Sequence, residues 1–189
     1  MSDDDTIAFY DRDPAAYAQF AIDHGTRDSL IAFERTLPRN ADVLDFGCGG
    51  GQDSAWLRDH GHRVVSMDAS AGLAREAQAR FGIDVRVGEF TTLADVTAYD
   101  GVWCAAALHH ERSAALPAVV ARIATALRPG GVFAATMKGG EHRRDSIGRF
   151  YCAMDAASAR AGSPPTRRSA CSRRGSRQAR ARRRRSRRG

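Results

Sequence analysis

Residues 45–51 read Asp-Phe-Gly-Cys-Gly-Gly-Gly and follow the short apolar pair Val43-Leu44. This stretch decides the fold, because a glycine-rich turn between a strand and a helix has a specific use. Glycines let the backbone turn tightly and let a ligand approach without meeting a Cβ atom. A helix beginning at Gln52 would present its free N–H groups to that ligand. The stretch predicts a nucleotide-type site, and a glycine loop without a ligand is the alternative.

Short apolar strands alternate with amphipathic helices on the carboxyl side of this turn. The pattern predicts strands over 43–46, 62–67, 83–87, 100–106 and 132–137, with helices over 52–60, 70–81 and 114–127 and a turn at 128–131. Such alternation is typical of a parallel sheet covered on both faces. Right-handed crossovers and a switch point beside the first strand then give the strand order 3-2-1-4-5 of an α/β, Rossmann-like doubly wound fold.

Helical spacing also predicts a helix over 13–37, broken near His24-Gly25 and ended by Pro38. Three segments are therefore expected. They are an amino-terminal helical cap (1–40), a Rossmann-like domain (41–161) and an arginine-rich tail (162–189). The tail has no Val, Leu, Ile, Phe, Tyr or Trp, and we expect it to be disordered because it cannot bury enough apolar surface.

The composition suits a soluble globular protein. The net charge of the 189 residues is distributed unevenly between the tail and the rest of the chain. Of the 29 Lys and Arg residues, 12 lie in the tail, which has none of the 22 Asp and Glu residues. The body is therefore slightly acidic. No apolar run is long enough to cross a membrane, and the acidic start is not a secretory signal. The four scattered cysteines lack metal-site or redox spacing, so we expect a cytoplasmic protein.

Two familiar nucleotide patterns are absent from the glycine turn. The dinucleotide fingerprint requires a glycine where Gln52 stands, and no Gly-Lys-Ser/Thr sequence is present. The remaining pattern, acid-x-Gly-x-Gly-x-Gly over 45–51, resembles the first motif of class I S-adenosylmethionine-dependent methyltransferases. The resemblance extends from about residue 9 to residue 155 and is closest to the small-molecule type. It implies S-adenosylmethionine as the cofactor and a small-molecule methyl acceptor.

The later motifs of that family have counterparts here in the expected order. Asp68 ends the second strand, where an acid can accept hydrogen bonds from both ribose hydroxyls, although it could instead cap the next helix. The resemblance further implies adenine contacts at Glu89 and Phe90, a methionine arm along Cys104 and Ala105, and a tyrosine near the sulfonium at Tyr17. The implied cofactor-binding residues are Asp45, Gly47, Gly49, Gly51, Asp68, Ala69, Glu89, Phe90, Cys104 and Tyr17.

The adjacent pair His109-His110 follows the fourth strand and supplies the candidate catalytic residues. A histidine there could deprotonate the acceptor nucleophile. Adjacent side chains usually point in different directions, so we expect no metal site. No other catalytic group is expected, because a methyl sulfonium is already activated and the protein mainly positions the reactants.

The sequence departs from the family after residue 160. Complete members continue with a helix and a final antiparallel strand pair, which we expect this chain to lack, and the residues of the tail have GC-rich codons. We interpret the tail as an out-of-frame reading of a GC-rich gene, a change that could impair activity. The alternatives are a nucleic-acid-binding protein or nucleic-acid methyltransferase that uses the tail for nonspecific phosphate contacts, and an adaptor that has lost catalysis.

Overall fold

The computed structural model describes residues 4–25, 27–137, 143–146 and 149–152. Three helices come first, α1 (Asp4–Arg12), α2 (Pro14–His24) and α3 (Arg27–Glu34). The main domain then follows as β1 (Asp42–Phe46), α4 (Gln52–Asp59), β2 (Arg63–Asp68), α5 (Ala71–Phe81), β3 (Val85–Val87), β4 (Tyr99–Ala105), α6 (Leu116–Ala126) and β5 (Leu127–Thr136). Short 3-10 turns occupy Phe90–Thr92 and Leu108–His110.

The five strands β1–β5 form one all-parallel sheet in the order 3-2-1-4-5, which confirms the predicted fold. The central strand is β1, where Leu44 pairs with Val65 of β2 and with Val102 of β4. The reversal of strand order lies between β1 and β4. In open α/β sheets a ligand binds outside the carboxyl ends of the strands at such a point.

Alternation along the strands divides the core into two layers. Leu44, Val102 and Cys104 pack with α6 on one face of the sheet. Val43 and Trp103 pack with residues of α3 and α4 on the other. This two-sided burial explains why the strands appear in the sequence as nearly continuous apolar runs.

Several predicted boundaries need correction. Residues 4–12 form α1, whereas the sequence pattern placed the first helix from residue 13. The break at His24-Gly25 is confirmed. Residues 128–131, expected as a turn before the last strand, lie within β5. The pairing of β5 with β4 shifts register there, between Tyr99 and Gly101 of β4. Arg128 pairs there with Asp42 at 2.8 Å and with Asp100 at 2.9 Å, which ties this segment to the amino ends of β1 and β4.

A two-residue antiparallel pair follows the main sheet. It joins β6 (Arg143–Arg144) to β7 (Phe150–Tyr151) and stands apart from the five-stranded sheet. The predictions for the tail over 162–189, and for a continuation near residues 154–157, fall outside the described residues. In the described ranges, no helix combines the length and the apolar character that a bilayer crossing requires.

The fold predicts a large loss of stability when a buried side chain of the central strand is truncated. Leu44→Ala should lower the free energy of unfolding by about 2–5 kcal/mol, because Leu44 is fully buried against its neighbours. Urea denaturation measures this change. Val96→Ala is the matched control, since Val96 is 63% exposed and its truncation should have little effect. Equal losses for the two variants would contradict this placement of the core.

Candidate active site

A cavity of about 380 Å³ opens at the carboxyl ends of β1, β2 and β4. The glycine turn after β1 and the residues that follow β2 and β4 form its floor and walls. Helices α1 and α2 cover it, contributing Ile7, Tyr10, Tyr17 and Phe20. The site therefore lies where the strand order reverses, as the topology requires.

The carboxylate of Asp68 holds the turn after β1 to the end of β2. One of its oxygens accepts a hydrogen bond from the Gly49 N–H at 2.8 Å, and the other accepts from the Ser70 N–H at 2.9 Å. Loss of solvent on burial raises the pKa of Asp68, although these two N–H groups oppose the change. Each oxygen retains a second lone pair, and Asp68 lines the cavity.

Two glycines of the turn have different structural uses. A Cβ at Gly49 would meet no atom within 4 Å, and Gly49 lines the cavity, so the space beside it is open to a ligand. Gly51 has a φ of +81°, and a Cβ there would lie 2.8 Å from the Ala77 Cβ. Gly51 does not line the cavity. Its role is to let α4 begin close against α5.

Two buried acids lie at the inner end of the cavity. Ser54 Oγ donates a hydrogen bond to Asp45 at 2.6 Å and lies 2.7 Å from Ser66 Oγ. The Trp103 indole N–H donates to Asp53 at 2.8 Å. Desolvation raises the pKa of both carboxyl groups, and Asp53 adds to the rise at Asp45 by repulsion.

Aromatic side chains line two sides of the cavity. Phe90 packs edge-on against Phe46, with ring centroids 4.7 Å apart, and lies beside Met67 and Gly88 in the wall after β2 and β3. Across from the strands, the rings of Tyr10 and Tyr17 are 4.5 Å apart. The lining is consequently mostly apolar, with a few polar groups at its edges.

Both ring nitrogens of His110 have partners. Nδ1 lies 2.6 Å from the carbonyl oxygen of Phe150, and Nε2 lies 2.7 Å from the Tyr10 hydroxyl. A carbonyl oxygen only accepts, so Nδ1 carries a proton and donates it. In the neutral ring Nε2 then accepts from the Tyr10 hydroxyl. Burial raises the pKa of Tyr10, which keeps this phenol protonated and able to donate.

The amino-terminal helices are attached to α5 by polar contacts. An Asp11 oxygen accepts from the Ser70 hydroxyl at 2.6 Å and from the Gly72 N–H at 2.7 Å. Ser70 also caps α5 by accepting from the Leu73 N–H, as predicted. Arg80 donates to Gln19 and to the Ala15 carbonyl, both at 3.1 Å. These bonds hold α1 and α2 over the cavity.

The structure brings most of the predicted site residues to the cavity. Those that line it are Asp45, Gly47, Gly49, Asp68, Ala69, Phe90, Tyr17 and His110.

Four predicted residues do not line the cavity. They are Gly51, Glu89, Cys104 and His109. Cys104 lies in the apolar layer against α6, because the alternation of β4 turns it to the same face as Val102. The predicted contact of Cys104 with a methionine arm therefore does not fit this position. Ala105, which was expected beside Cys104, does line the cavity. His109 is buried, and its ring stacks on Tyr151.

Sequence reasoning missed several polar groups of the site, Asp53 and Gln52 among them. Ser54 and Ser66 come from α4 and β2 and meet under Asp45, and nothing local in the sequence indicates that contact. Arg149 lies far along the chain and also lines the cavity. The sequence feature that could have indicated Arg149 as a site residue is its position just before the aromatic pair Phe150-Tyr151.

Comparison with known proteins finds similarity to methyltransferases. Residues 43–131 match the family model described as a methyltransferase domain. Over 115 residues the chain is 38% identical to malonyl-[acyl-carrier protein] O-methyltransferase of Enterobacter lignolyticus, an alignment that covers 58% of this chain and 45% of that protein. Over 91 residues it is 31% identical to ribosomal RNA small subunit methyltransferase C of Alcanivorax borkumensis, covering 46% of this chain and 27% of that protein.

A solved structure extends the likeness to three dimensions. The 1,6-didemethyltoxoflavin-N1-methyltransferase of Burkholderia thailandensis, with 1,6-didemethyltoxoflavin and S-adenosylhomocysteine bound, superposes with a TM-score of 0.61 at 28% identity. The match covers 72% of this chain and 65% of that one. Residues 43–131 are therefore similar to the methyltransferase-domain family. The chain spans less than half the length of the two curated relatives named above.

The buried acids predict a pH dependence of stability. The raised pKa of Asp45 means that the folded state holds this proton more tightly than the unfolded chain does. The free energy of unfolding should therefore fall as the pH rises from about 4 towards the raised pKa of Asp45 in the folded state. Asp45→Asn should make that fall shallower by up to about 1.4 kcal/mol per pH unit. Chemical denaturation at a series of pH values measures it.

Asp59→Asn is the control for this experiment, because Asp59 is exposed on α4 and does not line the cavity. Its stability profile should run parallel to that of the wild type. Parallel profiles for the wild type and Asp45→Asn would contradict the assignment of Asp45 as a buried, proton-retaining group.

Proposed function

We propose that the chain binds S-adenosylmethionine in this cavity and transfers its methyl group to a small organic molecule. One observation carries the proposal. The Asp68 carboxylate and the Gly49 turn, which are bonded to each other, line one cavity at the switch point of the sheet. The family match and the methyltransferase relatives support the same reaction class.

The residues present fit an adenosyl ligand with an amino acid arm. The open space at Gly49 leaves room for a group to lie against the backbone. Gln52 Oε1 lines the same region and is a buried acceptor with no hydrogen-bond partner among the described residues, so a ligand donor would satisfy it. A cavity of this volume falls in the range that takes small molecules.

Each part of the cavity suits one part of that ligand. Asp68 would accept hydrogen bonds from the ribose hydroxyls, while Phe90 and Met67 would pack against the adenine ring. Ala69, beside Asp68, completes this wall. The acidic inner end at Asp45 and Asp53 would attract the ammonium of the amino acid arm, and this charge would favour ionisation of the two carboxyl groups.

The rings of Tyr10 and Tyr17 would lie against the reacting centre. When bound, S-adenosylmethionine supplies a methyl group on a positively charged sulfur. The faces of aromatic rings attract cations, and the helices that carry both tyrosines exclude water from the cavity. His110 holds the Tyr10 hydroxyl in place and has no ring nitrogen left for proton transfer. The contribution of this chain to catalysis is therefore position and desolvation.

The acceptor is proposed to be small because the cavity is covered by α1 and α2 and is bounded by side chains. The solved relative named above binds 1,6-didemethyltoxoflavin, a small molecule. A nucleic-acid acceptor would depend on residues 162–189, which lie outside the described residues.

The proposal predicts that Asp68→Ala weakens binding of S-adenosylhomocysteine by roughly 1–3 kcal/mol, because the ribose hydroxyls lose an acceptor. Isothermal titration calorimetry measures the affinity. Asp59→Ala, at an exposed site away from the cavity, should bind as the wild type does.

Asp68 also supports the glycine turn, so a conservative variant is needed. Asp68→Asn keeps an acceptor oxygen and nearly the same volume, and should lose less affinity than Asp68→Ala. Thermal unfolding of each variant checks that the domain remains folded. Wild-type affinity in a folded Asp68→Ala protein would refute the ribose placement.

A further inference from the structure

Arg149 brings a positive charge to a cavity whose wall is otherwise largely apolar. It lies just before β7 and lines the cavity together with Tyr10, Tyr17 and His110. Its side chain is 16% exposed, so its charge is partly removed from solvent. The residue has no part in the cofactor placement described above.

The guanidinium of Arg149 is held in one orientation. Nε and Nη2 bond to Asp145 Oδ2, each at 2.9 Å. The Phe9 and Tyr151 rings lie 5.1 Å and 5.5 Å from its central carbon. Among the described residues, Nη1 donates no hydrogen bond. A guanidinium that is fixed in orientation and can still donate from Nη1 is suited to binding an oxygen anion.

The groups around Arg149 are engaged in other contacts. Asp145, the nearest carboxylate, is paired with the guanidinium at 2.9 Å. Both nitrogens of His110 are engaged, and Tyr10 is a protonated donor. His24, another histidine that lines the cavity, lies seven residues beyond Tyr17, about 10 Å further along α2. Asp45, Asp53 and Asp68 lie at the strand ends, and each already accepts hydrogen bonds. An acceptor held at Arg149 therefore has to offer a lone pair without first losing a proton to the protein, and a carboxylate oxygen, which also pairs with the guanidinium, meets both conditions.

Resting on the proposed methyl transfer, we infer that the acceptor is a small organic acid whose carboxylate is held by Arg149 and methylated on oxygen. The apolar wall takes the body of the acid, and Nη1 takes one carboxylate oxygen. The guanidinium keeps the acid ionised at the point of reaction, so no proton has to be removed there.

The step is balanced without a further reactant. A carboxylate oxygen uses a lone pair to form the new O–CH₃ bond, while the methyl–sulfur bond breaks and leaves its electron pair on sulfur. The carboxylate loses its negative charge and the sulfur loses its positive charge. The products are a methyl ester and S-adenosylhomocysteine, and no proton is transferred.

The test is binding to the full chain saturated with S-adenosylhomocysteine. Benzoate and octanoate are each titrated beside the neutral amide of the same shape, and NMR chemical shifts report the dissociation constants. We expect at least one acid to bind roughly tenfold or more tightly than its amide. Arg149→Gln should remove that preference. Arg144→Gln is the matched control, because Arg144 pairs with Asp5 and does not line the cavity, and it should retain the preference.

The affinity for S-adenosylhomocysteine is measured on the same samples, which separates the two proposals. If S-adenosylhomocysteine binds normally but neither acid is preferred over its amide, or if Arg149→Gln keeps the preference, only the carboxylate acceptor is overturned. If S-adenosylhomocysteine does not bind to the folded wild type, both proposals fail. Loss of the preference in Arg144→Gln as well would show that it reflects general charge, and would overturn the role of Arg149.

Discussion

The site depends on one carboxylate that joins two strand ends. Asp68 accepts from the N–H groups of Gly49 and Ser70, and so fixes the turn after β1 to the start of α5. Asp11 bonds to the same Ser70 and to Gly72, which extends the link to the amino-terminal helices. Floor, wall and cover of the cavity therefore meet within a few residues. A substitution of Asp68 would therefore disturb the floor, the wall and the cover of the cavity together.

The cavity is lined by both acidic and basic side chains. In the proposed function the carboxyl groups of Asp45 and Asp53 would bind a positively charged arm, whereas Arg149 would bind an anion. Aromatic rings from α1 and α2 also line the cavity. These groups would hold a cationic cofactor and an anionic acceptor in one cavity. Their opposite charges would then meet at the position where both are lost on methyl transfer.

The sequence predicted the sheet and the residues near its glycine turn, because both depend on local patterns. The alternation of short apolar strands with helices and the position of Asp68 at a strand end are features of this kind. The missed features depend on distant contacts. Ser54 meets Ser66 only once α4 packs on β2, and Arg149 reaches the cavity only after the chain has returned past β5. Cys104 was misplaced because the motif was carried over without following which face each β4 residue occupies.

A crystal structure with S-adenosylhomocysteine tests the central claim most directly. The account predicts density along the 45–51 turn, with the ribose hydroxyls within hydrogen-bonding distance of Asp68 and the adenine ring against Phe90. Density at another location, or an intact fold without density at saturating ligand, would contradict it.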